Sequence, residues 1–345
     1  MKEFGGPEVL EHTELDDPVA GDGEVLVEVA RVGVNFADTH VTRNDYIAEQ
    51  ELPLVPGAEI SGTTPDGKRV AALLMNGGYA ERVAVPEAAL VPVPDAVDDE
   101  QAAALLLQGL TAWSILNFSA RMAEGESVVI EAAAGGTGSL AVQLAKRAGA
   151  GRVIALASSE EKRALATELG ADATVDSRAE DLGEQILAAN DGKQVDVVLE
   201  MTGGAAFEAA LRTLAPFGRL VCFGIASREG NQVETGHLLS ASRAVIGFWL
   251  IHLFSRPEVL REGIEELLGA AASGDVRAVI GFWLVHLFTR PELLRAGIEE
   301  LFGAAASGEL RAVIGGVYPM SEVRQAHEDI VARRTQGKLL LDPSG

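Results

Sequence analysis

The sequence of 345 residues contains a single cysteine, Cys222, which excludes an internal disulfide and any zinc cage built from several thiolates. Basic residues are also few, since 28 lysines and arginines face 51 acidic residues. No basic cluster supplies the surface that a nucleic-acid-binding protein needs. The longest apolar run, Ala244 to Leu253, is about half of what spans a bilayer, and no secretion segment is expected at the N-terminus. We therefore expect a cytoplasmic protein without nucleic-acid or membrane partners.

The chain length predicts two domains, and the residue pattern changes along the chain as two domains would require. Residues 1 to about 115 are dominated by short strands, such as Glu24 to Val29, and by turn residues, such as Gly21-Asp22-Gly23. This part predicts a small, irregular β domain. Helical periodicity then takes over from Glu100 to about Phe118.

Strands and helices alternate from Glu126 onwards. The apolar run Val128-Val129-Ile130 precedes a glycine cluster and a helix from Leu140 to Arg147, and further strand runs follow as far as Arg219 to Gly224. Such alternation implies right-handed crossovers and a parallel sheet with helices on both faces. The predicted fold class is α/β, with a Rossmann doubly wound sheet.

Residues 243–276 and 277–310 are nearly identical in sequence and form an internal repeat with an offset of 34 residues. Each copy begins with a strand-like run, Ala244 to Leu250 in the first, and continues as a helical pattern. Two copies are too few for a solenoid, which needs at least about three repeats. We interpret the segment as a tandem duplication of one strand–helix step.

The sharpest motif is the loop Ala132 to Gly138, which follows a predicted strand and opens a helix. Small residues allow a close approach to a pyrophosphate, and the helix N-terminus offers free N–H groups to the anion. The alternative is a tight turn without a ligand. We predict dinucleotide binding, with contacts from the loop residues Ala134, Gly135, Gly136, Thr137 and Gly138.

The choice of dinucleotide depends on the residues about 20 positions after the loop, where an acid would bind an unmodified ribose. That window holds Ala157-Ser158-Ser159, and the acidic residues Glu160 and Glu161 lie slightly beyond it, where we expect them to start the next helix. Lys162 follows and is suited to a 2′-phosphate, although it is equally suited to a solvated helix face. We predict NADPH as the cofactor, with Ser158, Lys162 and Gly224 among its contacts.

Several motifs together resemble the quinone oxidoreductase (zeta-crystallin) branch of the medium-chain dehydrogenase/reductases. Besides the loop with Gln143 and Lys146, they are Gly33 to Asp38, Pro56 to Glu59, Gly77 to Glu81 and Gln108 to Ala112. The resemblance covers nearly the whole chain. It implies a GroES-like catalytic domain (residues 1–116 and 312–345), an inserted Rossmann domain (residues 117–311), and NADPH in the cleft between them.

The resemblance also bears on metal binding. The positions that hold zinc in related alcohol dehydrogenases correspond here to Asn35, Ala58 and Gln108. Alanine cannot ligate a metal, and amides are poor substitutes for thiolates, so we predict no metal. Without a Lewis acid, the expected reaction is hydride transfer to an acceptor that is already electron-poor, such as a quinone or an enone.

The same resemblance implies that Asn35, Asp38 and Tyr46 line the pocket beside the nicotinamide. Tyr46 is expected to hydrogen-bond or protonate the acceptor oxygen. Each residue also has an ordinary structural role open to it: a turn for Asn35, a helix cap for Asp38 and simple packing for Tyr46. Arg333, in a tail segment that the family returns to the cofactor, is a candidate second contact to the 2′-phosphate, or part of a solvated face.

Three functions remain open from the sequence: an NADPH-dependent quinone reductase, which we favour, an enoyl or 2-alkenal double-bond reductase, and a non-catalytic NADPH-binding crystallin-like protein. A zinc alcohol dehydrogenase is disfavoured. The resemblance implies a homodimer. The duplicated segment falls where the family pairs strands across that dimer, so we expect it to alter the interface. Glu59 is expected to be structural, Cys222 to be inert, and Tyr79 to lie either in the core or in the pocket.

Overall fold

The computed structural model describes residues 1–45, 49–93, 95, 97–249, 302, 305 and 310–344. Tyr46 and most of the duplicated segment lie outside these residues. The chain forms two compact units: unit 1 comprises Met1–Leu110 and Arg295–Gly345, and unit 2 comprises Thr111–Leu294. The domain bounds that the resemblance implies, 1–116 with 312–345 and 117–311, stay a prediction.

Unit 1 is built on a mainly antiparallel sheet of seven strands within the described residues. The strands are β1 (Glu24–Val34), β2 (Glu59–Thr63), β3 (Arg69–Leu73), β4 (Arg82–Pro86), β5 (Val91–Pro92), β12 (Ile314–Pro319) and β13 (Lys338–Asp342). Their order is β12-β13-β1-β2-β3-β5, and β4 pairs with the first part of β1. The tail strand β13 therefore joins the sheet beside β1, with Val34 opposite Leu339.

The long central strand β1 has a buried half that holds unit 1 together. Val32 and Val34 are fully buried, as are Ile60 on β2 and Leu340 on β13. Two short helices flank the sheet, α1 (Phe36–Val41) and α8 (Val323–Val331). Burial on three adjacent strands gives this unit its core.

Unit 2 contains the predicted doubly wound parallel sheet, which confirms the fold class. Its strands are β6 (Ser127–Ile130), β7 (Arg152–Ala157), β8 (Ala173–Asp176), β9 (Val195–Glu200), β10 (Leu214–Cys222) and β11 (Ala244–Gly247), in the order β11-β10-β9-β6-β7-β8. The helices are α3 (Gly136–Arg147), α4 (Glu160–Glu168), α5 (Leu182–Ala189), α6 (Ala205–Thr213) and α7 (Thr235–Ala241). All strands that are neighbours in this sheet order pair in parallel.

The strand order places the reversal of the sheet between β6 and β9. From β6 the chain first proceeds to β7 and β8 on one side, and then returns to β9, β10 and β11 on the other. Val129, Ile154, Val198 and Leu220 are fully buried on four neighbouring strands, as expected for strands covered on both faces. In such sheets ligands bind outside the carboxyl ends of the strands at the reversal.

Helix α2 (Asp99–Ser114) continues as a short π-helical segment, Ile115–Ser119. Among the described residues this stretch alone is long and apolar enough to cross a membrane, but 78% of its most apolar window is buried inside the protein. Leu105, Leu110 and Ile115 are fully buried. We therefore assign it as a core helix.

The first copy of the duplication begins, as predicted, with a strand. β11 pairs in parallel with β10, with Arg219 opposite Ala244. The second copy, 277–310, lies outside the described residues except at positions 302, 305 and 310. Its arrangement therefore stays a prediction.

Candidate active site

The glycine loop connects β6 to α3 and is shaped by its own backbone. The N–H of Ala133 donates to the carbonyl of Leu156 on β7 (3.0 Å), and the N–H of Gly135 donates to the carbonyl of Ala132 (2.7 Å). Gly135 precedes α3 in extended conformation and makes no side-chain capping bond. The first N–H groups of a helix lack partners within the helix, so this end of α3 presents donors to an anion.

Gly138 fixes the distance between the loop and the helix. A Cβ atom on this residue would lie 2.2 Å from the carbonyl oxygen of Ala132, a contact that no side chain tolerates. Ala134 is buried beside it, while Gly136 and Thr137 form the first turn of α3. The residues predicted to hold the pyrophosphate thus form one cradle at a helix N-terminus, and this cradle fits a diphosphate.

The carboxyl end of β7 is followed by two serines, and the two acidic residues after them, Glu160 and Glu161, lie in the first turn of α4. Ser158 follows the strand, and the Oγ of Ser159 accepts the N–H of Lys162 (3.3 Å) at the start of α4. Arg163, which the sequence analysis did not single out, donates to the carbonyl of Ala157 (3.2 Å) and pairs with Asp176 (3.3 Å). Its place beside Lys162 was the signal available in the sequence.

Two further residues predicted to bind the cofactor lie elsewhere. Gly224 follows β10 within unit 2, and a Cβ atom there would lie 3.1 Å from both Cβ and the carbonyl oxygen of Met201. Arg333 belongs to unit 1, where it follows α8 in a left-handed conformation (φ 56°). Contacts of Gly224 and Arg333 with a nucleotide stay predictions.

Unit 1 buries a cluster of polar side chains where β1 meets its neighbours. Lys338 Nζ donates to Asn35 Oδ1 (2.7 Å) and forms an ion pair with Glu59. Asn35 Nδ2 donates to Glu59 Oε1 (2.9 Å), and the N–H of Leu107 donates to Glu59 Oε2 (2.8 Å). Gln108 Nε2 donates to Asn35 Oδ1 (3.0 Å). We call Lys338, Glu59, Asn35 and Gln108 the lysine cluster.

Strand register explains how these residues meet. Val34 lies opposite Leu339, so Asn35 and Lys338 come next in the antiparallel ladder. Glu59 starts β2 on the other side of β1, and a Cβ atom on Gly33 would lie 2.3 Å from its Oε1. Glycine at position 33 therefore makes room for the carboxylate.

The lysine cluster is almost inaccessible to water, because the side chains of Lys338 and Glu59 are 1% and 0% exposed. Burying two charges is costly, and only a close partner and further hydrogen bonds compensate for the cost. Here the carboxylate accepts bonds from the ammonium, an amide side chain and a backbone N–H. The expectation that Glu59 is a structural carboxylate agrees with this arrangement.

Asp38 starts a second chain of hydrogen bonds. Its Oδ2 accepts the N–H of Asn35 (2.8 Å) and the hydroxyl of Tyr79 (2.9 Å), and the Tyr79 hydroxyl also lies 2.9 Å from His327 Nε2. Asp38 thus caps the N-terminus of α1, which is the structural role that the sequence offers for it. Tyr79 is partly buried, and its hydroxyl joins Asp38 to His327.

Burial displaces the titration of these groups. Desolvation raises the pKa of Asp38 to about 6, despite the hydrogen bond from Asn35 and the charge of Lys338. Desolvation also lowers the pKa of His327 to about 4, so this side chain is neutral at pH 7. The pKa of Tyr79 is raised by burial and by the Asp38 charge, so its hydroxyl keeps its proton.

The structure joins Asn35 and Asp38 by a hydrogen bond, whereas Tyr46 lies outside the described residues, and the pocket that the three residues are expected to line stays a prediction. Sequence reasoning missed Lys338 and His327. The signal for Lys338 was a charged residue at the start of an apolar run, Leu339 to Leu341. In the part of the chain that the structure describes, no three His, Cys, Asp or Glu side chains are grouped to hold a metal ion.

A nucleotide-type cradle on a doubly wound sheet, joined to a β domain with a buried polar cluster, is typical of dehydrogenases. The profile of the alcohol dehydrogenase GroES-like domain matches residues 21–95, and two zinc-binding dehydrogenase profiles match residues 136–268 and 281–341.

A quinone oxidoreductase of Pseudomonas aeruginosa is 34% identical to this chain over 99% of the chain and 97% of the relative. Mouse prostaglandin reductase-3 is 34% identical over 75% of the chain and 72% of the relative. The Thermus thermophilus quinone oxidoreductase, whose structure was also solved with NADPH, shares 36% identity and a TM-score of 0.75, covering 99% and 98% of the two chains. The chain belongs to the quinone oxidoreductase branch of the medium-chain dehydrogenase/reductases, and it is an oxidoreductase.

Proposed function

We propose that this chain is a zinc-independent, NADPH-dependent oxidoreductase that reduces quinones or similarly electron-poor acceptors. The observation that carries the proposal is the buried ammonium of Lys338, which lies between Asn35 and Glu59. By resemblance, Asn35 is one of the positions that hold zinc in related alcohol dehydrogenases.

The side chains present do not fit the zinc that two of the matching profiles imply. Asn35 Oδ1 already accepts hydrogen bonds from Lys338 and Gln108. The third position, Ala58, carries only a methyl group. A divalent ion placed here would face the Lys338 ammonium and would lack the thiolate and imidazole ligands that zinc prefers. No step of the reaction is therefore assigned to a metal.

The loop and the end of β7 support NADPH. The N-terminus of α3 offers donors to a pyrophosphate, and Lys162 and Arg163 lie at the start of α4, shortly after Ser158 and Ser159, which follow β7. The NADPH complex of the Thermus relative supports the same choice. When bound, the nicotinamide supplies a hydride, and the chain's own residues provide binding, alignment and exclusion of water.

The lack of a Lewis acid restricts the acceptor. A carbonyl that is not polarised by a metal accepts hydride poorly, whereas a quinone or an enone is already electron-poor. Asn35 and Asp38 are proposed to position the acceptor, and Tyr46 to hydrogen-bond its oxygen. The ordered Asp38–Tyr79–His327 bonds hold the Asp38 carboxyl in one orientation.

A second candidate is the reduction of an enoyl or 2-alkenal double bond. The similarity to prostaglandin reductase-3 favours it. The same hydride donor would serve both reactions, so the pocket decides between them.

An acceptor comparison tests the proposal. Purified protein is assayed with NADPH or NADH against 1,4-naphthoquinone and a 2-alkenal, and its zinc content is measured. We expect quinone turnover with NADPH, a weaker rate with NADH, and zinc far below one ion per chain. Faster turnover of the alkenal would favour the second candidate. Nucleotide binding without turnover of either acceptor, or one zinc per chain, would overturn the proposal.

A pair of glycine variants tests the cradle itself. In Gly138→Ala the new methyl group meets the Ala132 carbonyl, so the loop must shift. We expect NADPH affinity to fall about tenfold or more, equivalent to about 1.4 kcal/mol. Gly230→Ala is the matched control, since a Cβ atom there meets nothing within 4 Å. Equal affinity for the two variants would argue against the cradle.

We also propose that the protein is a homodimer and that it is located in the cytoplasm. An exposed strand edge readily pairs with another chain, and β11 is the last strand of its sheet among the described residues. Sedimentation of this chain beside a version lacking 277–310 tests whether the duplication alters the interface. Identical dimers from both chains would contradict an altered interface.

A further inference from the structure

Two buried carboxyl groups lie at the ends of adjacent strands in unit 2. Glu131 directly follows β6, and Glu200 ends β9. Their exposed fractions are 2% and 0%. Neither residue belongs to the cradle or to the lysine cluster described above.

The hydrogen bonds of this pair are incomplete. Glu131 Oε2 accepts the N–H groups of Met201 (3.2 Å) and Thr202 (3.1 Å), whereas Glu131 Oε1 is buried and has no hydrogen-bond partner. Glu200 accepts the N–H of Gly203 and the thiol of Cys222 (3.1 Å). In the described part of the chain, no lysine, arginine or histidine bonds to either carboxyl group.

Burial and mutual repulsion disfavour a second negative charge on this pair, and the hydrogen bonds that the two carboxyl groups accept, including the one from the Cys222 thiol, offset these effects only in part. Desolvation, followed by the charge of Glu200, raises the pKa of Glu131 to about 7, and desolvation raises the pKa of Glu200. Cys222, on β10, has a thiol pKa raised by burial and by Glu200, so it stays neutral. Since an unpaired buried charge is costly, one proton held on the pair removes most of the penalty.

The position of the pair connects it with the nucleotide. β6 and β9 are the two strands between which the sheet order reverses, and dinucleotides bind across this point outside the carboxyl ends of the strands. Glu131 also immediately precedes the glycine loop. A polyanionic nucleotide bound there adds negative charge close to carboxyl groups to which the described residues supply no cationic partner.

We propose that Glu131, with Glu200, is a proton-accepting part of the dinucleotide site: when NADPH binds, ionised Glu131 carboxylates take up protons from the solvent buffer, so that a larger fraction of the molecules holds a neutral Glu131. This inference rests on the proposed function. The bond formed is the O–H bond of the carboxyl group, and the buffer acid loses the proton. Protonation removes a negative charge from the residue that immediately precedes the glycine loop.

Proton binding by Glu131 and NADPH binding are thermodynamically linked. If binding raises the proton affinity of Glu131, then raising the pH must weaken NADPH binding by the same coupling. For a coupling of one pKa unit, affinity falls by up to about tenfold across the range around pH 7. The loss saturates once the carboxyl is ionised in both states.

Calorimetric titration with NADPH tests the coupling directly. The full-length protein is titrated at pH 7.5 in two buffers of different ionisation enthalpy, which gives the number of protons taken up per nucleotide. We expect clear uptake by the wild-type protein and none by Glu131→Gln, whose affinity should also stay constant from pH 6.5 to 8.5. Glu184→Gln, which alters an exposed carboxyl on α5, is the charge-matched control and should behave like the wild type.

A second variant keeps the test decisive if Glu131→Gln does not fold. Glu200→Gln removes the neighbouring charge, so proton uptake should move to lower pH without disappearing. Nucleotide binding with no uptake by the wild type, or with unchanged uptake in both variants, would overturn the inference alone. Failure of every protein to bind NADPH at any pH would instead overturn the proposed function.

Discussion

The two units of this protein bury carboxylates in opposite ways. In unit 1, Glu59 is paired with Lys338 and accepts hydrogen bonds on both oxygens. In unit 2, Glu131 and Glu200 lie at adjacent strand ends, the described residues give them no cationic partner, and one oxygen of Glu131 accepts no hydrogen bond. A charge that is balanced internally contributes to holding a scaffold, whereas one that is not balanced is available to respond to a ligand or to pH.

The largest effect is expected from breaking the balance in unit 1. Lys338→Met leaves Glu59 charged and buried without its partner, which should lower the free energy of unfolding by about 3–5 kcal/mol. Urea unfolding at pH 7.5 measures the loss. The double variant Lys338→Met/Glu59→Gln removes both charges and should recover much of it; a double variant as unstable as the single one would show that the ion pair is not the cause.

Removing the unpaired charge of Glu131 in unit 2 should raise the free energy of unfolding instead of lowering it. The folded-state pKa of Glu131, about 7, lies above its ordinary value of 4.5, so the folded protein binds the proton more tightly than the unfolded chain. Its contribution to stability is therefore lost as pH rises from about 4.5 through 7, by up to about 3 kcal/mol.

Glu131→Gln should remove this loss and should be more stable than the wild-type protein at pH 8.5. Unfolding curves of the two proteins at pH 5 and pH 8.5 give the difference. Parallel pH profiles would show that Glu131 titrates normally, and the contrast between the two units would fail.

His327, in unit 1, should change the pH dependence of stability by an amount similar to that expected for Glu131. Burial lowers its pKa from 6.5 to about 4, so below pH 6.5 the unfolded chain binds a proton that the folded protein excludes. Stability is therefore lost as pH falls from about 6.5 to 4, by up to about 3 kcal/mol.

In His327→Gln this part of the acid dependence should disappear, and the side chain can still hydrogen-bond to Tyr79. The difference between the wild-type and variant unfolding energies, measured from pH 7.5 to 4, isolates the effect from other carboxyl groups. A constant difference across that range would contradict the assignment of a neutral buried histidine.

The smallest effect is expected at the surface. Arg212 and Glu208 form an exposed pair one turn apart on α6, at 3.2 Å. Because water and salt screen such pairs, Arg212→Ala should cost only about 0.3–0.5 kcal/mol. Urea unfolding at low and high salt provides the measurement, and a loss close to that of Lys338→Met would remove the distinction between balanced buried charge and surface charge.

Much of unit 2 could be predicted from the sequence because its signals are local. The run Val128-Val129-Ile130, the glycine loop and the following helix occur in the structure as β6, the cradle and α3. The helix begins at Gly136 rather than at Leu140, since the loop glycines themselves form its first turn. The apolar stretch from Glu100 was likewise recognised as a helix.

The polar cluster of unit 1 could not be found this way. Lys338 lies far along the chain from Asn35 and Glu59, and each looks ordinary in its own segment. Only the pairing of β13 and β2 with the two sides of β1 brings them together. His327, on α8, meets Tyr79 for the same reason.

The amino-acid sequence by itself determined the doubly wound sheet, the position of the glycine loop and the absence of ligating side chains at Ala58, because period, turn chemistry and residue type act over a few neighbouring residues. Tertiary structure alone decided which buried charges are paired. Coulomb interactions and desolvation depend on distance in space, so Glu59 pairs with an ammonium on the last strand of the described chain, whereas the charged neighbour that raises the pKa of Glu131 is another carboxylate, Glu200.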